Sequence, residues 1–365
     1  MKKLFSHLHL VSLFFLTFAC SDQNDQTQES KIDFGFTLMR TNYMVQKGKL
    51  FLFKCKGFSE MDRLELYING ENHQSWNQPE NDLFEVKTDR LELGIYSIEI
   101  RGFKNNKLIS ADGRLLMINS QEPLKEIDYE LVSSYPHNPN NFTQGYEFHH
   151  GKLYESTGNP NNQGTTKVAE IDYKTGASTR EITQPNPIFG EGISILGSKV
   201  YQISWRDQKC FVYDINTFQL DTTYIYSGEG WGLCNDGSSL IMSNGTHELV
   251  YRDPLTFEVT KRISVHSDRG PITNLNELEF HNGSIYANLW RNELRNQEDS
   301  RMNFSKIVQI NPKNGQVKGF FDIRNLIERS IKSGVPNGIA FRESSGTFWI
   351  TGKNWNEAYE IKVNP

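Results

Sequence analysis

From Gly151 onward one short apolar strand pattern recurs along the chain: GKLYESTG (151–158), SKVYQISW (198–205), SSLIMSNG (238–245), GSIYANLW (283–290) and GTFWITGK (346–353). Each copy is followed by a second strand that ends in a turn, in KVAEIDYKTG, CFVYDINTF, ELVYRDPLTF, KIVQINPKNG and finally AYEIKVNP. Those turns carry Gly, Pro, Asn and Asp, as β-hairpins need. Each copy is also preceded by a shorter strand near a tight turn: FTQGYEF, FGEGISI, GWGLCND, LNELEFHNG and PNGIAFRESSG. With Leu153, Val200, Leu240, Ile285 and Phe348 taken as equivalent, the intervals are 47, 40, 45 and 63 residues. Periods of 40 to 47 match one four-stranded propeller blade. The long interval contains DIRNLIERSIKSG, where Ile323, Leu326, Ile327 and Ile331 recur at helical spacing, so a short amphipathic helix is inserted there. The fifth repeat runs out of chain after its third strand, and an orphan strand at about 127–135 precedes the first repeat. Pairing the two closes the ring and removes an exposed edge. The pattern predicts an all-β chain with a five-bladed β-propeller over 123–365; an open array of β-sandwiches is the competing architecture.

Residues 33–122 stand outside the repeat but alternate as strands, in KLFLFKCKG, RLELYING, DLFEVKT and GIYSIEIRGF, with Asn69-Gly70 and Asp112-Gly113 read as hairpin turns. A small β-sandwich-like accessory domain is expected, a spacer or docking module without chemistry of its own. Residues 1–20 read as a sorting signal: Lys2 and Lys3, an apolar stretch from Leu10 to Phe18, then Ala19 before Cys20. Only about ten residues are continuously apolar, against the ~20 of a spanning helix. This is the pattern of a bacterial lipoprotein leader, with Cys20 the lipid-attachment residue and 21–32 a flexible tether; an ordinary signal peptide is the alternative. The expectation is an exported protein of the cell envelope or periplasm, anchored by lipid to a bacterial membrane.

Charge narrows the functional classes. The chain has 365 residues with 39 Lys and Arg against 44 Asp and Glu, a net charge of −5, whereas a nucleic-acid binder needs a basic excess. A mean hydropathy of −0.58 together with 23 Phe, 15 Tyr and 6 Trp excludes wholesale disorder and a polytopic membrane protein. Beyond Cys20, the cysteines Cys55, Cys210 and Cys234 are odd in number and lack paired spacing, so buried free thiols are expected rather than a disulfide framework. The nine histidines form no HxxxH or HExxH pattern and there is no CxxC, which leaves no zinc motif.

Blades present equivalent strand ends to one rim of a central channel, so residues at equivalent repeat positions converge in space. At the start of the innermost strands stand Gln144, Glu191, Trp231, Glu277 and Asn337, with Asn276 just before Glu277. At the end of the next strands stand Gly158, Trp205, Gly245, Trp290 and Lys353. Repetition alone favours one small or apolar residue five times; this variety points to a site. Gly190 and Gly192 flank Glu191 and are expected to let a ligand approach the backbone. Burial among aromatics raises the pKa of Glu191 and a nearby Lys353 lowers it, so the sequence leaves the net direction open. Glu229 and Glu277 read as structural or supporting carboxylates.

NNFTQGYEF (140–148), LYESTG (153–158), FGEGI (189–193), GEGWGL (228–233), LNELEF (275–280), YANLW (286–290), NGIAF (337–341) and ITGKNW (350–355) resemble the metal-independent glutaminyl cyclases, the five-bladed propeller glutaminyl-peptide cyclotransferases of plants and bacteria. The resemblance covers about 131–362. It implies conversion of an N-terminal or free glutamine to pyroglutamate with release of ammonia, no metal or other cofactor, a monomer, and peptides or proteins with N-terminal Gln as partners. Carried over by motif, Glu191 is the proton shuttle, and Asn276 and Lys353 bind substrate and steady the oxyanion. Gln144, Phe142, Phe189, Trp205, Trp231 and Trp290 form the walls. Where members of the family commonly read SDG this chain has Ser243-Asn244-Gly245, and Asn356 replaces a common proline, which bears on substrate range. The competing reading is a non-catalytic, lipid-anchored propeller that binds peptides or glycans; a solitary carboxylate and a lysine favour the enzyme. A metal-dependent lactonase-like propeller would need several acidic or amide ligands around one ion, which the tryptophan and lysine rim does not offer.

Overall fold

A computed structural model describes residues 33–39, 43–160, 164–290, 305–330 and 334–363. Cys20, the leader and tether, and Ile331 lie outside the described residues. Five antiparallel sheets carry the repeat. The first blade is Thr143–His149, Lys152–Thr157, Lys167–Asp172 and Ala177–Thr183; the second is Gly190–Leu196, Lys199–Ser204, Lys209–Asp214 and Leu220–Ile225. The third is Leu233–Asn235, Leu240–Ser243, Glu248–Arg252 and Val259–Ser264; the fourth is Leu275–His281, Ser284–Leu289, Lys306–Ile310 and Val317–Asp322. The fifth has three strands from the end of the chain, Pro336–Arg342, Thr347–Gly352 and Glu357–Val363. Its fourth strand is Tyr129–Pro136, with Tyr129 opposite Val363 and Pro136 opposite Glu357. This is the closure that the orphan strand predicts. Among the described residues no helix is long and apolar enough to cross a membrane.

Both faces of a blade must be covered, and the second strand of each blade is accordingly apolar in a run rather than alternating. Apolar clusters fill all five junctions: Ile193 and Phe211 with Tyr154, Leu233 with Ile203, Leu278 with Leu249, Ile339 with Tyr286, and Tyr146 with Trp349. The inserted helix, Arg324–Arg329, adds Leu326, with the preceding Ile323, to the junction of blades four and five.

The inner strands meet at the axis with no space to spare. In blades one, two, four and five the pairing of the innermost strand slips between Thr143 and Gly145, Gly190 and Ile193, Leu275 and Leu278, and Pro336 and Ile339. Such bulges re-aim the residue they contain. The re-aimed residues, Gln144, Glu191, Asn276 and Asn337, lie at one level with Trp231 of blade three. The next position is Gly145, Gly192, Gly232 and Gly338 in four blades. A Cβ on Gly145 would sit 2.4 Å from the Ile193 nitrogen, on Gly192 2.4 Å from the Leu233 nitrogen, and on Gly232 2.0 Å from the Asn276 oxygen. Gly190 is equally confined, 2.7 Å from the Thr157 oxygen by the same measure. The glycines beside Glu191 therefore serve strand packing, which corrects the expectation that they open the backbone to a ligand.

Blade four breaks the rule with Glu277. The register places Asn276, and not Glu277, level with Gln144 and Glu191. Because neighbouring strand residues point to opposite faces, that single step turns Glu277 away from the rim. Its carboxylate accepts N–H bonds from Tyr146 (3.2 Å) and Ile339 (2.8 Å), joining blade four to blades one and five.

The preceding residues form a three-stranded sheet (Gly35–Leu38, Leu50–Lys56, Leu83–Lys87) and a five-stranded sheet (Met44–Gln46, Lys107–Asn119, Gly94–Lys104, Arg63–Ile68, Glu71–Asn77), with Phe51, Phe53, Leu64, Leu66, Ile98 and Ile100 buried. Asn69-Gly70 is the expected hairpin turn, both residues at positive φ. Asp112-Gly113 is not a turn. It lies within Lys107–Asn119, where Asp112 accepts the Phe36 N–H (3.0 Å), and the turn is made by Asn105 and Asn106, both left-handed. Contact with the propeller runs through Ser120 N–H to the Ser267 carbonyl (3.1 Å), His266 to Asn119 (2.9 Å), and Lys125–Glu126 pairing in parallel with Val317–Asp322. Cys55, Cys210 and Cys234 are buried free thiols.

Buried titrating groups set the pH response of the fold. Desolvation pushes Glu277 and Glu279 well above the ordinary carboxylate value of 4.5 and Glu147 to about 8. The folded chain keeps protons there that the unfolded chain loses, so stability declines as pH rises above 4.5. His137 donates from Nε2 to Glu155 Oε1 at 3.0 Å, both buried; burial works against the imidazolium, but the Glu155 charge prevails and raises His137 above 6.5. Its contribution is complete below 6.5 and lost as pH rises through the folded value. Glu155, destabilised by burial but lowered overall by His137, Thr143 and Asn141, contributes above 4.5 and loses that contribution as pH falls through its folded value. Urea unfolding at a series of pH values should therefore give greatest stability near pH 4.5, with a decline on the acid side as Glu155 is protonated and a steady decline towards pH 8.

Candidate active site

The structure gathers all nine residues assigned to catalysis and substrate walls around one cavity of about 720 Å³. Its floor is polar and buried: Gln144 is 2%, Glu191 5%, Asn276 3% and Lys353 4% exposed. Three of these come from the bulged level of the inner strands, and Lys353 from the end of the second strand of blade five. Gln144 donates from Nε2 to Glu191 Oε1 (3.0 Å), and its own Oε1 accepts from Asn337 Nδ2 (2.9 Å), which also donates to the Thr143 carbonyl (3.1 Å). Asn337, placed at the rim by the sequence, thus stands behind Gln144 and fixes which way its amide faces. Glu191 is held through its backbone, where the carbonyl accepts from Ser156 Oγ (2.5 Å), itself bonded to Gln202 (2.9 Å). Of the side chains that line the cavity, two present buried acceptors, Glu191 Oε2 and Asn276 Oδ1, with no hydrogen-bond partner among the described residues; behind them Asn337 Oδ1 and Gln202 Oε1 also lack one.

The walls are half-buried aromatics in edge contact. Phe142 meets Phe189 (6.1 Å between centroids), Phe189 meets Trp205 (5.6 Å), and Trp231 meets Trp290 (6.4 Å). Lys353 Nζ lies 4.2 Å from the Trp290 ring centroid and 4.9 Å from that of Phe142, closing one gap in the ring by cation–π contact. Glu229 closes the other, its Oε2 accepting the indole N–H of both Trp205 (2.9 Å) and Trp231 (3.0 Å). Gly158 and Gly245 are glycine for space: a Cβ would lie 2.4 Å from the Phe189 ring and 2.6 Å from the Trp231 ring.

The direction left open by the sequence is now fixed. Burial raises Glu191 well above 4.5 against the opposing Lys353 charge, with Glu229 adding to the rise. Burial pulls Lys353 down to about 8, the Glu191 charge opposing it. Glu229 feels desolvation too, but the bonds from Trp231, Trp205 and Arg206 bring it below its ordinary value and keep it ionised. A carboxyl raised well above its ordinary value, a titratable amine and an unpaired amide oxygen around an apolar slot can bind a small amide-bearing group and move a proton across it.

Sequence reading missed the mouth, where Asn159, Pro160, Pro187, Arg206 and Asp207 also line the cavity. Arg206 and Asp207 directly follow Trp205 and Pro187 stands two before Phe189, but loop residues carry no periodic signal. Among the described residues no cluster of three or more His, Cys, Asp or Glu side chains is arranged to hold a metal ion.

Residues 108–363 match the family model described as glutamine cyclotransferase. The chain belongs to the glutamine cyclotransferase family. It is 33% identical over 243 residues to the glutaminyl-peptide cyclotransferase of Arabidopsis thaliana, which covers 65% of this chain and 71% of the relative. The crystal structure of Myxococcus xanthus glutaminyl cyclase superposes with a TM-score of 0.59 at 31% identity, over 67% of this chain and 99% of that one. The cyclotransferase match begins earlier than the motifs do, taking in all but the first residue of Lys107–Asn119 of the five-stranded sheet and the Lys125–Glu126 strand that pairs with blade four.

Gly158→Ala should displace the Phe189 ring and slacken the wall. Near-ultraviolet circular dichroism from the aromatic ring should fall while the far-ultraviolet strand signal is kept; an unchanged near-ultraviolet spectrum would show that the wall does not depend on this contact.

Proposed function

We propose that this enzyme converts the glutaminyl residue at the N-terminus of a peptide or protein, or free glutamine, to pyroglutamate with release of ammonia, and that Glu191 is its general acid/base. The observation that carries the reading is the Glu191 carboxyl group: buried on the cavity floor, oriented by Gln144 through one oxygen, and with the other oxygen unpartnered among the described residues. In the reaction the α-amine nitrogen bonds to the side-chain amide carbon, the carbon–NH2 bond breaks, and one proton moves from the attacking to the departing nitrogen. A single carboxyl can serve both nitrogens. Protonated Glu191 with a neutral amine carries as many protons as ionised Glu191 with an ammonium, so the pair shares the one proton that must be moved.

The remaining floor residues suit the charge that develops. The Lys353 ammonium, desolvated and facing rings rather than a carboxylate partner, would stabilise the tetrahedral oxyanion. Asn276 Oδ1 would accept an N–H of the substrate. Trp205, Trp231, Trp290, Phe142 and Phe189 would enclose the flat glutaminyl end and exclude water, raising the worth of each polar contact. The cell-envelope location, reached through a lipid on Cys20, belongs to the same proposal.

Glu191→Gln should lower turnover of a glutaminyl dipeptide roughly 10²–10⁴-fold, with circular dichroism unchanged; ammonia release near the wild-type rate would remove Glu191 from the mechanism. With the wild-type enzyme, kcat/KM should be bell-shaped in pH. Its Glu191 limb should lie well above 4.5, and the rate should fall above about pH 8 as Lys353 loses its proton. A profile flat from pH 5 to 9 would contradict this assignment.

A further inference from the structure

We infer that Glu229 is a positioning residue for this reaction, one carboxylate that sets the width of the aromatic slot by holding its two indole walls and the arginine at its mouth; the inference rests on the cyclotransferase reading of the cavity. Trp205 ends the second strand of blade two and Trp231 precedes the inner strand of blade three, so the two rings belong to different sheets. An indole N–H is a donor only. Both donors converge on Glu229 Oε2, at 2.9 and 3.0 Å, while Oε1 accepts from Arg206 Nε at 3.0 Å. The Arg206 guanidinium in turn lies 3.8 Å from the Trp205 ring centroid.

The turn that carries Glu229 is built for this placement. Gly228 has φ 92°, and Gly230 is so close to Tyr226 that a Cβ would lie 2.2 Å from its hydroxyl oxygen. Without the carboxylate, the described side-chain contacts of Trp205 are ring contacts with Phe189 and Arg206, which fix a face but not a rotation. Three donors keep Glu229 ionised, and the charges facing Glu191 are then this anion and Lys353. Glu229 thus reaches the reacting atoms through other residues, by wall geometry and by the proton affinity of Glu191.

The test is steady-state kinetics of Glu229→Gln on a glutaminyl dipeptide across pH, with wild type and Glu191→Gln in parallel. Loss of the anionic acceptor should raise KM roughly tenfold or more, with a smaller change in kcat. It should also move the Glu191 limb to lower pH, because an anion favours protonation of its neighbours. Trp231→Phe, which keeps a ring but deletes the donor, should give the same KM effect, and the double variant should be less than additive. A lowered melting temperature with KM and pH limbs unchanged would reduce Glu229 to a structural residue and overturn the inference, as would full additivity with Trp231→Phe if Glu229→Gln folds poorly. Wild-type protein that releases no ammonia would overturn the cyclotransferase reading and this inference together, whereas an active wild type with an unaltered Glu229→Gln overturns this inference alone.

Discussion

Five strands cannot all carry side chains where they converge on one axis. The fold meets that constraint with glycine at four of the five innermost positions, where a Cβ would lie 2.0 to 2.4 Å from the backbone of the next blade in three of them. Glu277 fills the space that the glycines leave and ties three blades through two backbone N–H groups. The residue one step earlier is pushed by a bulge towards the rim, and in that way the steric solution at the hub generates the polar floor of the cavity. The packing of the hub and the polar floor of the cavity are here adjacent residues of the same strands.

The floor is expensive to bury and is arranged accordingly. Gln144, Asn337 and Ser156 spend their hydrogen bonds on orientation, leaving one oxygen of Glu191 and one of Asn276 unpartnered among the described residues. Desolvation then does the tuning: it moves the Glu191 carboxyl well above its ordinary value and the Lys353 amine down to about 8. The aromatic ring serves this end by keeping water away, and its two gaps are spanned by one cation and one anion, Lys353 and Glu229.

How much of this was legible in the sequence follows from the length scale of each signal. Repeats of 40 to 47 residues and runs of apolar strand residues specify blades, and the leftover strand at 127–135 specifies closure, because an unpaired edge has one complementary partner. Alignment of equivalent strand ends placed seven of the nine assigned cavity residues on one rim, and the family resemblance added Phe142 and Phe189. It failed by a single residue at Glu277, since a bulge changes register without changing composition, and it misread Gly190 and Gly192, whose neighbours come from other strands and other blades. Asp112-Gly113 looked like a turn for a similar reason: its Asp finds a partner 76 residues away, at Phe36.

By itself, then, the sequence determined the class of fold, the number of blades, the means of closure and most of the side chains at the rim, all of which follow from local periodicity and repetition; Phe142 and Phe189 rested on the family motifs instead. Only the tertiary structure decided which residue stands level with which at the hub, which oxygens are left unpaired, and in which direction Glu191 titrates. Those outcomes depend on through-space distances and on exclusion of water, and neither quantity is carried by residue order until the ring has closed.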